Sequence, residues 1–443
     1  MLSRCSLAVC VATIFVATSC QQQPPSPKQQ RTNTPHPNKK AAAARTPALD
    51  EDQIAELQAL GYADAPTEPD DPTKKGVTLN SKRASPGYNL ITDRRGCRAS
   101  VLDNAGTEVH AWQGDDCAEW AHAVLLRNRD LLVSGVNRRG GILTRTLNRP
   151  RYLTRLTWDG HPVFRVNLPA HHLPTEMPDG RLIALTTQQR MAPGYDHEAM
   201  LLDDRLAVLT SRGTVLKFIS LFDLLHENSL KIPLKPIAPS NKGHAKGIDL
   251  FHINTVNPLG RPELVGTSEL FQPSNVLITL RHQDLIAVVD IDAEKVIWAW
   301  GQDDLRGPHD AQPLANGHFL MLDNGLGRGW SRAIEMDPAT GKIVWEYAAT
   351  PKESLYTHSY GTVNRTDNGN TIITDSDSGR ALEVTPQGQL AWEFFNPNYY
   401  ADKKRGPINS VRRYTADELS PWLNLKTPPP PRMRNERRKP SKH

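Results

Sequence analysis

Short apolar runs that end in an aromatic residue recur along the C-terminal half of this chain. KVIWAWG around Trp298, KIVWEYA around Trp345 and QLAWEFF around Trp392 stand 47 residues apart, behind Gly-containing or charged turns such as ATGK. A second phrase alternates with the first, in which a His introduces an apolar stretch, a polar turn and a further apolar run. It is read in WAHAVLLRNRDLLVSG from Trp120, HHLPTEMPDGRLIAL from His171, GPHDAQPLANGHFLMLDNG from Gly307 and THSYGTVNRTDNGNTIIT from Thr357. Short apolar runs between Asn-Gly or Asp-Gly turns are strands, and several strands repeated at this period make a propeller blade. About six such units fit between roughly residues 86 and 415. Helical periodicity is scarce there, so the expected fold is all-β: a six-bladed β-propeller, placed at 86–420.

Composition changes the picture at the ends. Of 443 residues only 38% are hydrophobic, and Pro (35) outnumbers Gly (29), as expected of one globular body with disordered tails. Residues 21–85 are rich in Gln, Pro, Thr, Lys and Ala, with one helical phrase from Asp50 to Tyr62, and read as a disordered tether. Residues 421–443 form a Pro-rich basic tail. The net charge of +5 is shared by tail and body and does not call for a nucleic-acid partner.

The N-terminus sets an expected compartment. Arg4 precedes an apolar run from Leu7 to Ala17 that closes with ATSC, the layout of an export signal over residues 1–20 and too short for a membrane span. The small residues before Cys20 resemble a bacterial lipoprotein cleavage box, with Ala17 where Leu is usual. The expectation is lipidation at Cys20, a membrane anchor, and a cell-envelope site, periplasmic or surface-exposed; without the lipid, secretion. Cys5 and Cys10 leave with the signal. Cys97 and Cys117 remain, with two readings: a disulfide across the first blade, or two buried thiols.

No paired Cys/His metal signature exists, so neither a metal nor another cofactor is expected, and the chemistry falls to histidines. Equivalent positions of a repeat share one radius and height. His122, His171 or His172, His252, His309 and His358 are therefore expected to converge near the central channel. Asp310 and Asp249 are the acidic neighbours. Arg328 and Arg332, just past the strand that His309 introduces, favour an anionic substrate. Blander readings stand beside these: Asp323-Asn324-Gly325 as a plain turn, Arg332 paired to Glu335, and the three repeat tryptophans as packing between blades.

DLFHINTV from Asp249, VLITLRHQDLIAVVDIDAEKVIWAWG from Val276, GPHDAQPLANGHFLMLDNGLGRGWSRAIEMD from Gly307 and GNTIITDSDSGRALEVTPQGQLAWEF from Gly369 follow in an order that resembles the arylsulfotransferase family over roughly residues 90–415. The resemblance implies a six-bladed propeller with its active site in the channel. It implies transfer of a sulfuryl group from a phenolic sulfate ester to a phenol through a sulfohistidine, without the nucleotide sulfate donor of cytosolic enzymes. It places catalytic roles on His252, His309 and Arg328 and the nucleophile on His358, with Arg332, Asn254, His122 and His172 as substrate-binding residues. Family members of bacterial type carry an N-terminal β-domain associated with dimerisation, whereas the first 85 residues here read as disordered, so a dimer of that kind is not expected and the oligomeric state stays open. Two other functions compete: a non-catalytic envelope propeller that binds a ligand or partner, and a quinone-cofactor dehydrogenase suggested by ATGKIVWEY from Ala339. The second is disfavoured because that phrase occurs cleanly once and the repeats are too few.

Overall fold

The computed structural model describes residues 71–93, 96–114, 117–137, 151–192, 196–227, 230, 232–237, 247–399 and 405–423. The leader, Cys20 and the helical phrase at Asp50–Tyr62 lie outside the described residues, as does the basic tail placed at 421–443 except for its first three residues, which end a helix, Ala416–Leu423, so the tail boundary moves past Leu423.

Six antiparallel sheets, each built on consecutive strands, are the blades. Blade 1 holds Tyr88–Asp93, Arg98–Asp103 and Glu108–Gln113. Blade 2 runs from Glu119–Leu125 to Pro162–Asn167, blade 3 from Ala170–Glu176 to Val215–Ser220, and blade 4 from Ile253–Pro258 to Lys295–Trp300. Blade 5 runs from His309–Pro313 to Lys342–Ala348, and blade 6 from Val363–Arg365 to Leu390–Phe395. The second strands are almost wholly apolar and buried, as in NVLITL of blade 4 and FLMLD of blade 5, because neighbouring blades cover both faces.

The ring is closed twice. Val411–Tyr414 pairs with Tyr88–Ile91 and becomes the innermost strand of blade 1. Gly76–Asn80 pairs with Trp392–Phe395 and adds a fifth, outermost strand to blade 6. That second closure corrects the tether boundary: residues 76–80 belong to the propeller, because GVTLN finds a free edge on blade 6 that local composition does not reveal.

Tryptophans of the fourth strands stitch blades 1, 4, 5 and 6 to the blade that follows each. Trp112 Nε1 donates to the Thr157 carbonyl of blade 2, Trp345 to Pro386 of blade 6, and Trp392 to Asn104 of blade 1. Trp298 meets Phe319 of blade 5 edge-on at 5.5 Å. Cys97 and Cys117 form a disulfide that ties the first turn of blade 1 to its exit toward blade 2.

Candidate functional site

The innermost strands meet at the axis, and a repeated backbone irregularity at their heads turns polar side chains inward. His172, His252, Asp310 and Tyr360 have φ values of 57°, 46°, 53° and 60°, left-handed values that are costly for residues with a Cβ. The ladder slips at the same places: between Trp120 and His122, opposite Ile183 and Leu185, between Ile253 and Thr255, and between His309 and Gln312. Such bulges re-aim side chains. As a result His122, His172, Asn254, His309, Tyr360 and Asn409, from all six blades, line one cavity.

Hydrogen bonds from blade to blade hold these strand heads. Asn409 Nδ2 donates to the Ala121 carbonyl (2.6 Å), Ser134 Oγ to His172 (2.8 Å), and the Ile253 amide to Asp204 Oδ2 (2.9 Å). Asn254 Nδ2 donates to Pro308 (2.8 Å), and the Val363 amide to Asp310 Oδ2 (3.0 Å). The Arg413 amide donates to Asn364 Oδ1 (2.9 Å), which completes the circuit. Asp310 also meets Arg412 of the closing strand at 2.8 Å, so this carboxylate is spent on the scaffold.

The imidazoles form a chain. His122 stacks on His172 with ring centroids 5.7 Å apart, His172 meets His252 edge-on at 5.7 Å, and His252 lies 4.6 Å from His282. His252 Nδ1 donates to Asp249 Oδ2 at 2.6 Å, which leaves Nε2 for the channel. The neighbouring imidazoles of His252 and His282 hold the Asp249 carboxyl well below its ordinary range despite its burial. The loop bearing Asp249 is itself positioned by blade 3, whose second and third strands extend to Leu182–Ala192 and Asp196–Leu209. Its Ile248 exchanges backbone hydrogen bonds with Met200 and Leu202 of that hairpin.

His309 has a fixed tautomer. Asn324 donates both amide protons to backbone carbonyls, of Thr357 at 2.8 Å and of Tyr360 at 2.9 Å, so its Oδ1 must face His309 Nδ1 at 2.7 Å. His309 Nδ1 therefore carries the proton and Nε2 a bare lone pair. Burial first, then the Arg281 charge, pushes the His309 pKa well below its ordinary 6.5, so the ring is neutral. The same two causes bring His358 down to about 4. His358 Nδ1 is buried with no hydrogen-bond partner among the described residues, and its backbone amide is held by Asp377 Oδ2 at 2.7 Å.

Arg281 is the cation the sequence reading missed. It is 1% exposed, with one guanidinium nitrogen 3.1 Å from His282 Nε2 and the other 3.4 Å from the His358 carbonyl. The available signal was a pair of basic residues, Arg281-His282, directly after the largely apolar, fully buried strand NVLITL. Arg328 and Arg332 are engaged elsewhere. Both reach Asp323 Oδ2, at 3.0 and 2.8 Å, and Arg332 also pairs with Glu346 at 2.8 Å. Arg328 lies against Trp330, 4.1 Å from its ring centroid. Asn324, readable as a plain turn residue, proves to be the group that orients His309.

Asp249, His252 and His282 are the one set among the described residues whose potential metal-ligand atoms lie within 4.8 Å of one another. Both ring nitrogens of His282 are occupied, Nδ1 by the Asp249 carbonyl at 2.6 Å and Nε2 by Arg281. A guanidinium in that position opposes a second cation. The arrangement instead suits an anion: a buried positive charge with two neutral imidazoles beside it and a carboxylate-backed imidazole, His252.

No curated protein matches this chain in sequence. Among solved structures, it is similar to a protein of unknown function from Bacteroides caccae at 13% identity and a TM-score of 0.45, over 74% of this chain and 99% of that one. A streptogramin B lyase matches at 13% identity and a TM-score of 0.41, over 79% and 96%. A virginiamycin B lyase from Staphylococcus aureus, with quinupristin, matches at 12% and 0.41, over 74% and 87%. In sequence, residues 151–397, more than half of the chain, match the family model for arylsulfotransferase (ASST). The chain belongs to the arylsulfotransferase family.

Proposed function

We propose that this protein moves a sulfuryl group from a phenolic sulfate ester to a phenol through a sulfohistidine, with His309 as the nucleophile. The observation that carries this reading is the lone pair that Asn324 fixes on His309 Nε2, on a ring kept neutral by its burial and by the field of the Arg281 guanidinium. The lone pair attacks sulfur, the N–S bond forms as the S–O bond to the aryl group breaks, and the electron pair leaves with the phenolate. Arg281 balances the charge on the non-bridging oxygens from a buried position. His252, with a side chain 29% exposed, carries a proton on Nε2 in addition to the one Nδ1 gives Asp249; it passes that Nε2 proton to the departing oxygen and recovers it from solvent. In the second half the acceptor oxygen attacks sulfur, the N–S bond breaks back onto His309, and the acceptor's proton passes to an imidazole of the same set. His358 remains the competing nucleophile implied by the family resemblance; it is neutral and lies beside Arg281, but it lacks an orienting hydrogen bond.

Intact mass of the full chain after exposure to 4-nitrophenyl sulfate tests this. A sulfuryl adduct that persists in His358→Ala and is lost in His309→Ala is expected. Loss in His358→Ala alone moves the nucleophile there, and no adduct across a panel of aryl sulfates leaves the binding propeller. Export with lipidation of Cys20 is the companion proposal, supported by the leader pattern and by a disulfide suited to an oxidising compartment. Membrane fractionation of wild type and Cys20→Ala tests it: release of the variant is expected, and identical partitioning refutes the anchor.

A further inference from the structure

Behind His172, on the side away from the cavity, stands a hydrogen-bonded series that the transfer scheme above does not use. His172 Nδ1 lies 2.7 Å from His171 Nδ1. His171 Nε2 lies 2.9 Å from the Thr187 hydroxyl and 3.5 Å from Asp204 Oδ1, and the Thr187 hydroxyl lies 3.4 Å from the same oxygen. The side chains of His171 and Asp204 are 13% and 5% exposed, and Thr187 between them is half-buried. The other oxygen of Asp204 accepts the Ile253 amide, which fixes the carboxylate one residue from His252.

The carboxylate decides where the protons sit. Thr187 donates toward Asp204, so its oxygen accepts from His171, and the His171 proton resides on Nε2. His171 Nδ1 is then an acceptor, and the proton between the two rings belongs to His172 Nδ1. The remaining nitrogen, His172 Nε2, is left as a lone pair on a ring that lines the cavity. The charged and titratable groups facing His172 are His171, His252, His122 and His309, none of which supplies a carboxylate directly. The only acidic group in this series is Asp204, reached through His171.

We propose that His171 is a positioning residue that fixes the tautomer of His172 and links it to Asp204, so that His172 Nε2 is the base that takes the proton of the acceptor phenol. The inference rests on the sulfuryl-transfer reading and assigns its second half. As the acceptor oxygen bonds to sulfur, its proton moves to His172 Nε2 while the N–S pair returns to His309. The proton on His172 Nδ1 shifts to His171 Nδ1, and that on His171 Nε2 shifts toward Asp204 through the Thr187 hydroxyl. The donor half uses His309, Arg281 and His252 and does not involve this series.

The two halves separate in a pre-steady-state experiment on the full chain. With 4-nitrophenyl sulfate, His171→Leu and Asp204→Asn are expected to keep the rapid burst of nitrophenolate, while steady turnover with phenol as acceptor falls by about 10²-fold. Turnover with an acceptor phenol acidic enough to be ionised already is expected to stay within a few-fold of wild type, because it brings no proton to remove. His171→Asn, which can still accept from His172 Nδ1, is expected to recover part of the loss with phenol. An equal loss with both acceptors, or no loss with phenol, overturns the proposal. Absence of a burst in wild type instead overturns the sulfuryl-transfer reading, and absence of a burst in the variants alone shows that the series serves the donor half and overturns its assignment to the acceptor.

Discussion

At the scale of single residues, the site depends on which nitrogen carries a proton and which charge faces it. Asn324 sets the first for His309, since its amide protons are committed to the Thr357 and Tyr360 carbonyls. Asn324→Leu is expected to lower the rate of adduct formation by roughly 10²-fold with little change in substrate affinity, the mark of lost orientation. Single-turnover kinetics at saturating donor would check it. Arg281 sets the second. Its charge is the second cause, after burial, of the low pKa of both His309 and His358. Removing it in Arg281→Met raises those values toward 6.5, so the nucleophile becomes protonated at a higher pH and the acid limb of kcat/KM moves upward. The height of the profile is expected to fall by about 10²–10³-fold, and a pH-rate series read on both variants and wild type separates the two effects. An unmoved acid limb with an unchanged plateau would show that Arg281 does not face the reacting group.

At the scale of elements, the blade repeat was legible because it is written in spacing: Trp298, Trp345 and Trp392 mark equivalent fourth strands, and His122, His172, His252, His309 and His358 mark the approaches to inner strands. What spacing does not carry is partnership. Arg328 follows His309 in the chain as a substrate cation would, yet it shares Asp323 with Arg332. Arg281 precedes it by a whole blade and still reaches the His358 carbonyl. Contacts across blades join residues far apart in the chain, by 38 positions for Ser134 and His172 and by 288 for Asn409 and Ala121, and no local pattern records them. For the same reason Asn324 reads as a turn residue, and Gly76–Asn80 reads as tether although it completes blade 6. The two readings of Cys97 and Cys117 are decided by the fold, which brings the residues together in a disulfide with sequence separation 20. Closing a loop of that length stabilises by about 3 kcal/mol in the chain-entropy account. Cys97→Ala with Cys117→Ala is expected to melt several degrees lower by calorimetry, and added reductant to lower wild type by the same amount while leaving the variant unchanged.

At the scale of the whole molecule, two balances decide stability: protons buried in the channel and the latch that closes the ring. His282 and His358 are held neutral with pKa values of about 3 and about 4. The unfolded chain protonates them near 6.5, so the stability they contribute is present above that pH and is lost as pH falls through the window from 6.5 to about 3. Asp375, raised to about 7 by burial, works the other way: its contribution is present below its unfolded value of 3.8 and is lost as pH rises toward 7. Each group changes stability by about 1.4 kcal/mol per pH unit inside its window. The imidazoles outnumber the carboxyl, so urea midpoints are expected to climb from pH 4 to 6.5 and then flatten, and Asp375→Asn to steepen the climb. The latch is narrower. Glu383, on the third strand of blade 6, pairs with Arg413 of the closing strand and accepts the Ser85 amide and Asn370 Nδ2, both at 2.6 Å. One buried carboxylate thus holds the entering and the returning chain. Glu383→Leu leaves a guanidinium of 2% side-chain exposure without its counter-charge and is expected to cost about 3–5 kcal/mol, whereas the double variant with Arg413→Met recovers most of that loss. Breaking the exposed Arg98–Glu108 pair, with side chains 38% and 43% exposed, is expected to cost less than about 1 kcal/mol. Chemical denaturation of the four proteins measures all of this at once. If Glu383→Leu unfolds no more readily than the surface variant, the ring is held by its strand pairing alone and the carboxylate is not the latch.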